Sequence, residues 1–301
     1  MKKHFYKYNP LTFFLLLILS SCERPFPVDN YSEPDKLVLN CFIDSDSTLQ
    51  LDLSKSSSPY NEFKPHLQQS NAVLTLKDEK GQKINLTRQE NSNLYKTGNK
   101  LKNGEIYSMN VEFEGFEDIR AYSLFPENVS DYSYSGQVIV NDDNQKVLYS
   151  KFSFNPNQNK YLIIRHTLKK KLISIKGDTV TYTDTSWVNP KSNNIEHVLP
   201  QNAVNKLLFV NIKGDGPEIV EFESYDGFEK NDNLIEGYSY FELISCSEQY
   251  YKYLKSLLQY YWNKNSADPG VFTPVTVFSN VENGHGIFAG FSTVIIEKKY
   301  K

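Results

Sequence analysis

Few residues in this chain could do chemistry, and the clearest is Cys22. It follows Leu19-Ser20-Ser21 at the end of an apolar run, Leu11 to Leu19, which is preceded by Lys2, Lys3 and Lys7. A basic start, a short apolar stretch and small residues make a secretory signal with its cleavage site at the cysteine. The residue left there carries a thiol, a nucleophile when ionised. The run has nine residues, too few to cross the ~30 Å hydrocarbon core as a helix. Four histidines follow, His66, His166, His197 and His285, and no two share metal-ligand spacing. His166 stands beside Arg165 on an expected strand, and His285 stands among glycines; either would need distant carboxylates to hold a metal. Asn141-Asp142-Asp143-Asn144 offers calcium-type oxygens but lacks the later bidentate Glu of an EF-hand, so it reads as a polar hairpin turn. No G-x-S-x-G, H-E-x-x-H or Walker-type sequence is present. These observations lead us to expect no catalytic residues, no metal site, no cofactor and no enzyme activity.

The second concentration of special residues is Ser279-Asn280-Val281-Glu282-Asn283-Gly284-His285-Gly286-Ile287-Phe288-Ala289-Gly290. A phosphate cradle would need a strand before the glycines and a helix after them. Here the β-type run Phe291–Ile296 follows, so Gly284, Gly286 and Gly290 are read first as a tight turn with close backbone approach, with a ligand loop as the alternative.

Elements must position these residues. Tyr and Phe number 21 and 19, against two Met and two Trp, a bias that favours strands, while abundant Asn, Ser, Asp and Gly favour turns. Leu37, Leu39, Cys41 and Ile43 alternate, as do Leu49, Leu51 and Leu53. Ala72–Leu76 returns through Gly81 into Lys83–Thr87, and Ile106–Phe113 and Ile119–Leu124 follow. Short strands at this spacing predict an immunoglobulin-like or transthyretin-like β-sandwich over 35–130. A polar, turn-rich stretch from Pro126 to Gly136 separates it from a second antiparallel β-domain, 131–301. That domain contains one amphipathic helix, 247–262, and the glycine-rich stretch 279–292. Ser245-Cys246-Ser247-Glu248 matches a capping box, and Tyr250, Leu254, Leu257, Leu258 and Tyr261 fall on one helical face. Residues 1–21 form the signal and 22–34 a tether stiffened by Pro25 and Pro27.

Charge excludes one class of partner. Residues 1–21 carry three of the 33 basic residues and no acidic one, so the remainder holds 30 basic against 36 acidic, a net of −6. With Lys169-Lys170-Lys171 as the only basic triplet, no nucleic-acid footprint exists. Cys41 and Cys246 remain after Cys22; they allow a disulfide or two buried thiols, and no C-x-x-C offers a redox or zinc motif.

Leu19-Ser20-Ser21-Cys22 resembles the lipobox of bacterial lipoproteins, in which the cysteine takes acyl chains such as palmitate. Two or more chains are needed for stable attachment. The closing stretch, preceded by an aromatic-rich helix and Asp268-Pro269 to Pro274, reads N-x-x-N-G-x-G-x-F-x-G. Together with Lys36-Leu37-Val38-Leu39-Asn40 and Phe152-Ser153-Phe154-Asn155-Pro156 before Lys160-Tyr161, it resembles the Bacteroidota outer-membrane lipoproteins grouped as domain of unknown function 4249. Cys41 departs from the glycine expected after Asn40. The resemblance implies lipidation at Cys22 and an outer-membrane location on either face. It also implies partnership with a TonB-dependent receptor in nutrient uptake, through a ligand the sequence does not name. A surface hydrolase of polysaccharide or peptide and a structural or adhesion protein are the rival readings. In that phylum Asp46-Ser47-Thr48 and Asp178-Thr179-Val180 would also match an O-glycosylation acceptor.

Overall fold

A computed structural model describes residues 34–44, 48–56, 71–89, 94–155, 161–173, 177–199, 206–213, 216–225, 234–266 and 275–299. Cys22, His66, the Asp46-Ser47 pair and the Asp268–Pro274 stretch lie outside them. Thr179 and its neighbour Asp178 lie inside, exposed at a strand start.

Alternation decides the first strands. β1 (Leu37–Ile43) buries Leu37, Leu39, Cys41 and Ile43. β2 (Thr48–Lys55) buries Leu49, Leu51 and Leu53 opposite them, in the antiparallel register Leu39↔Leu53, Cys41↔Leu51 and Ile43↔Leu49. A period of two puts all seven apolar side chains on one face, where each contributes about 1.5–3 kcal/mol of burial. Six short strands complete this half: β3 (Val73–Lys77), β4 (Lys83–Ile84), β5 (Leu86–Arg88), β6 (Leu94–Thr97), β7 (Ile106–Glu112) and β8 (Ile119–Leu124). One sheet, in the order β4-β3-β7-β8, packs Leu76, Met109, Val111 and Ile119 against the β1–β2 face.

The second half begins with β9 (Tyr132–Val140) and β10 (Lys146–Phe154), joined by the predicted polar turn. Asn144 takes φ +60° there, and Asn141 Oδ1 accepts from the Gln145 amide at 2.8 Å. Then come β11 (Tyr161–Ile173), β12 (Thr179–Thr185), β13 (Trp187–Pro190), β14 (Ile195–Glu196), β15 (Leu207–Asn211), β16 (Glu218–Tyr225) and β17 (Leu234–Cys246). A helix, α1 (Glu248–Ser266), and a last strand, β18 (His285–Lys299), close the chain. The sheet β13-β16-β10-β9 faces the larger sheet across an aromatic core. In that core Phe152 and Phe241 meet edge-on at 5.3 Å, and Phe152 stacks on Phe222 at 6.1 Å.

The fold is thus mainly β, in sandwich-like layers, with a single helix among the described residues. One connection crosses the division read from sequence. β18 pairs in parallel with β1 through His285–Gly290 and antiparallel with β17 from Phe291 onward. Both halves therefore share one sheet, β14-β15-β11-β17-β18-β1-β2-β6-β5, with β12 on β11. The stretch after β8 is anchored too: Phe125 is buried in the first core and Val129 in the second.

Two details of the helix differ from the sequence reading. Ser245 and Cys246 end β17, because their backbones pair with Ser292 and Phe291. The cap is Ser247, whose Oγ accepts from the Tyr250 amide at 3.2 Å. Glu248 is the first helical residue and pairs with Lys252 one turn on, at 2.7 Å. The helix also runs to Ser266 rather than 262. Its buried anchor is Tyr251, against Ile163, Phe209 and Cys246, with Tyr250, Leu254 and Leu258 beside it. Tyr261, on the same helical stripe, is 51% exposed.

Candidate functional site: a closing clip and an outward polar face

The closing stretch is built around Asn280. Its Oδ1 accepts from the Phe288 amide at 2.9 Å, and its Nδ2 donates to the Phe288 carbonyl at 2.8 Å and the Tyr122 carbonyl at 3.0 Å. One side-chain amide thus serves as a piece of strand, tying β18 to β8. Glu282 and Arg120 exchange backbone hydrogen bonds at 2.7 and 3.4 Å, and Asn283 donates from Nδ2 to the Asp118 carbonyl at 3.2 Å. Asn283 holds φ +59°, a left-handed conformation that Asn tolerates better than most residues.

The glycines are there for space. Gly286 has φ +106°, and a Cβ on it would run into the Leu39 carbonyl of β1. A Cβ on Gly284 would lie 2.7 Å from the Leu37 carbonyl oxygen, and one on Gly290 would lie 2.9 Å from that of Leu124. Gly290 also accepts from the Ser247 amide and donates to Ser123 Oγ, joining the helix cap to β8. Phe288 then enters the first core fully buried. All six residues singled out here, Asn280, Asn283, Gly284, Gly286, Phe288 and Gly290, converge on one clip between β1, β8, β17 and α1. Their polar atoms meet groups of this chain, backbone in every case but the Gly290 amide on Ser123 Oγ, the geometry of a structural turn.

The remaining sequence candidates are scattered. Cys41 and Cys246 are free and buried on different strands, so the disulfide alternative falls; burial pushes both thiols up. His285 is exposed at the start of β18. His166 is fully buried, stacked on Phe241 at 4.4 Å, with burial pushing its imidazole down to about 3. Neither ring nitrogen meets a hydrogen-bond partner among the described residues. No group of three His, Cys, Asp or Glu side chains could hold a metal among those residues.

A different cluster assembles on the outward face of the sheet β13-β16-β10, where the pairs Trp187↔Tyr225, Asn189↔Glu223, Tyr149↔Glu223 and Lys151↔Glu221 set the neighbours. Glu223 is only 6% exposed. Its carboxylate receives Lys191 Nζ at 3.1 Å, Tyr225 Oη at 3.1 Å and Asn189 Nδ2 at 3.5 Å. Asn141 Nδ2 reaches the same Tyr225 hydroxyl at 3.4 Å. One step along β16, Glu221 pairs with Lys151 at 2.9 Å. That lysine's hydrogen bond holds the Glu221 carboxyl below its ordinary value, and the lysine itself is raised. Burial opposes the charge of Lys191, yet its bond to Glu223 leaves it raised. Each carboxylate is matched by a lysine, so the face is locally neutral and rich in donors and acceptors. Trp187, 53% exposed, stands at its rim. Such a face suits recognition, since ion-paired carboxylates held by several donors are poor proton carriers. Glu221, Glu223 and Tyr225 at alternate positions do mark one strand face in the sequence. Their lysine partners become visible only with the strand register.

A two-sandwich β-protein closed by a C-terminal clip is the class these features define. The chain belongs to the family described as Domain of unknown function (DUF4249), whose model matches residues 23–295. No match was found among curated proteins. Among solved structures, the yeast delta-COP-I mu-homology domain complexed with a Dsl1 WxWxV peptide is 10% identical, covering 87% of this chain and 94% of that one at a TM-score of 0.21. The same domain without the peptide gives 10%, 87%, 93% and 0.20. Likenesses at that level carry no argument about fold or partner.

Proposed function

We propose that the mature chain is a non-enzymatic lipoprotein of the outer membrane, held by acyl chains on Cys22, that acts as the accessory of a TonB-dependent receptor. The supporting observation is the outward face of β10, β13 and β16, whose paired charges and exposed Trp187 suit contact with another protein. Buried aromatic anchors framed by hydrogen-bonding groups dominate the energetics of such contacts. The sequence supports the anchor, and no helix among the described residues is long and apolar enough to cross a membrane. The test is recovery of tagged, mature protein from detergent-solubilised outer membrane. A stoichiometric barrel partner is expected with the native chain and is weakened with Trp187→Ala. Recovery of no barrel partner by the native chain would overturn the reading.

A further inference from the structure

Every β-sheet leaves edges, and proteins guard them with short strands, charges or prolines. Among the described residues the edge strands obey that rule with one exception. β4 has two residues, one of them Lys83, and β5 has three, ending in Arg88. β14 has two, including Glu196, and β13 has four, ending in Pro190. β12 contains Asp184, and β8 contains Arg120, whose backbone is bridged to Glu282. β9 differs: Tyr-Ser-Tyr-Ser-Gly-Gln-Val-Ile-Val runs nine residues without a charge or a proline. Among the described residues it pairs with β10 alone. Ser133, Ser135, Gly136 and Gln137 are exposed, and so are Val138 at 45% and Val140 at 57%.

We infer that β9 is a self-association edge that adds antiparallel to β9 of a second copy of this chain, with Gly136 on the two-fold axis. The sequence of the strand is self-complementary about that residue. Tyr134 falls opposite Val138 of the second copy, and Tyr132 opposite Val140. These aromatic–β-branched pairs are among the favourable cross-strand combinations. Ser135 meets Gln137, and Ser133 meets Ile139. Just beyond the strand, Asp131 meets Asn141, so no like charges are brought together. Glycine at the centre is the weakest point of a strand edge, and flanking tyrosines give it aromatic cover; the Tyr134 hydroxyl already lies over Gly136 within one chain. Pairing joins two four-stranded sheets into one of eight across an isologous interface and covers Val138 and Val140.

Cross-linking of the mature, lipid-bearing protein in detergent reads the register directly. Ser135→Cys and Gln137→Cys in one chain, or mixed as two single variants, should give a covalent dimer on mild oxidation, whereas each single variant alone should not. Cys41 and Cys246 are buried and stay out of the reaction. Sedimentation in density-matched detergent should show a dimer for the native chain. Val138→Lys with Val140→Lys should weaken it roughly 100-fold by removing the valine–tyrosine pairs and placing charges on the edge, with the unfolding midpoint of the dilute monomer unchanged because both sites are exposed. A native chain that stays monomeric, or cross-linking that is equal in the single variants, would overturn the inference.

Discussion

Asn280 and Asn189 carry the same side chain in opposite service. Asn280, in the clip, is used up by backbone: its amide completes β18 and reaches β8. Asn189, on the outward face, turns toward Glu223 and the Tyr225 hydroxyl at 3.5 Å each, long contacts that leave capacity for something else. Gly286 sharpens the contrast, since its missing Cβ makes room for this chain's own Leu39. The closing stretch is therefore built as a folding device, and the outward polar face lies elsewhere. Changes in the clip should be read as lost stability, and changes on the face as lost association.

The largest way to break this comparison is Gly286→Ala. A left-handed φ and a Cβ inside the Leu39 carbonyl together should cost about 3–5 kcal/mol, seen as a lower denaturant midpoint with both sandwiches unfolding together. Acid comes next. His166 is held down to about 3 by burial while the unfolded chain keeps the ordinary 6.5. Between those values the unfolded state binds more protons, so stability is whole above pH 6.5 and falls as pH drops toward 3. The full span amounts to a few kcal/mol. His166→Phe, which keeps a ring on Phe241, should flatten that slope in denaturation curves taken across this range.

Smaller effects sharpen the account. Asn280→Ala strands the Phe288 amide and carbonyl and should cost about 2–3 kcal/mol; Asn280→Asp, which keeps the acceptor but loses the donors, should recover only part of it. Ser247→Ala removes the helix cap, worth about 1 kcal/mol, measurable by thermal unfolding. Trp187→Ala on the face should change stability by less than about 0.5 kcal/mol while weakening recovery of a partner. An unfolding midpoint that moved as far as that of Asn280→Ala would erase the distinction between the two regions.

Much of the fold is legible in the sequence. The alternation of Leu37–Ile43 and Leu49–Leu53 gave strands and faces, Asn141–Asn144 gave a turn, and the Tyr- and Leu-rich run after Ser247 gave the helix. What could not be read was partnership. Periodicity names the buried face of a strand but not its neighbour, so nothing in His285–Lys299 announced that its two ends join different sandwiches. The same limit misplaced the cap: Ser245 satisfies the box by spacing, yet pairing with Ser292 holds it in β17. Tyr261 fits the helical stripe yet is 51% exposed, because periodicity names a face of a helix and not how much of it the rest of the chain covers. In the clip the residue types were visible, while their target, the backbone of β1 and β8, lay more than 150 positions away in sequence for Asn280 and Asn283.

Native-state hydrogen exchange at the Phe288 amide tests the central claim most directly. That amide is held by Asn280 Oδ1 at 2.9 Å, inside the clip shared by both sandwiches. If the clip is architecture, Phe288 exchanges only by global unfolding, at the same opening free energy as the Leu39 amide in β1 and the Leu243 amide in β17. If residues 280–290 are instead a ligand loop, Phe288 opens locally at a free energy several kcal/mol lower while β1 and β17 stay protected, and that result would contradict the account.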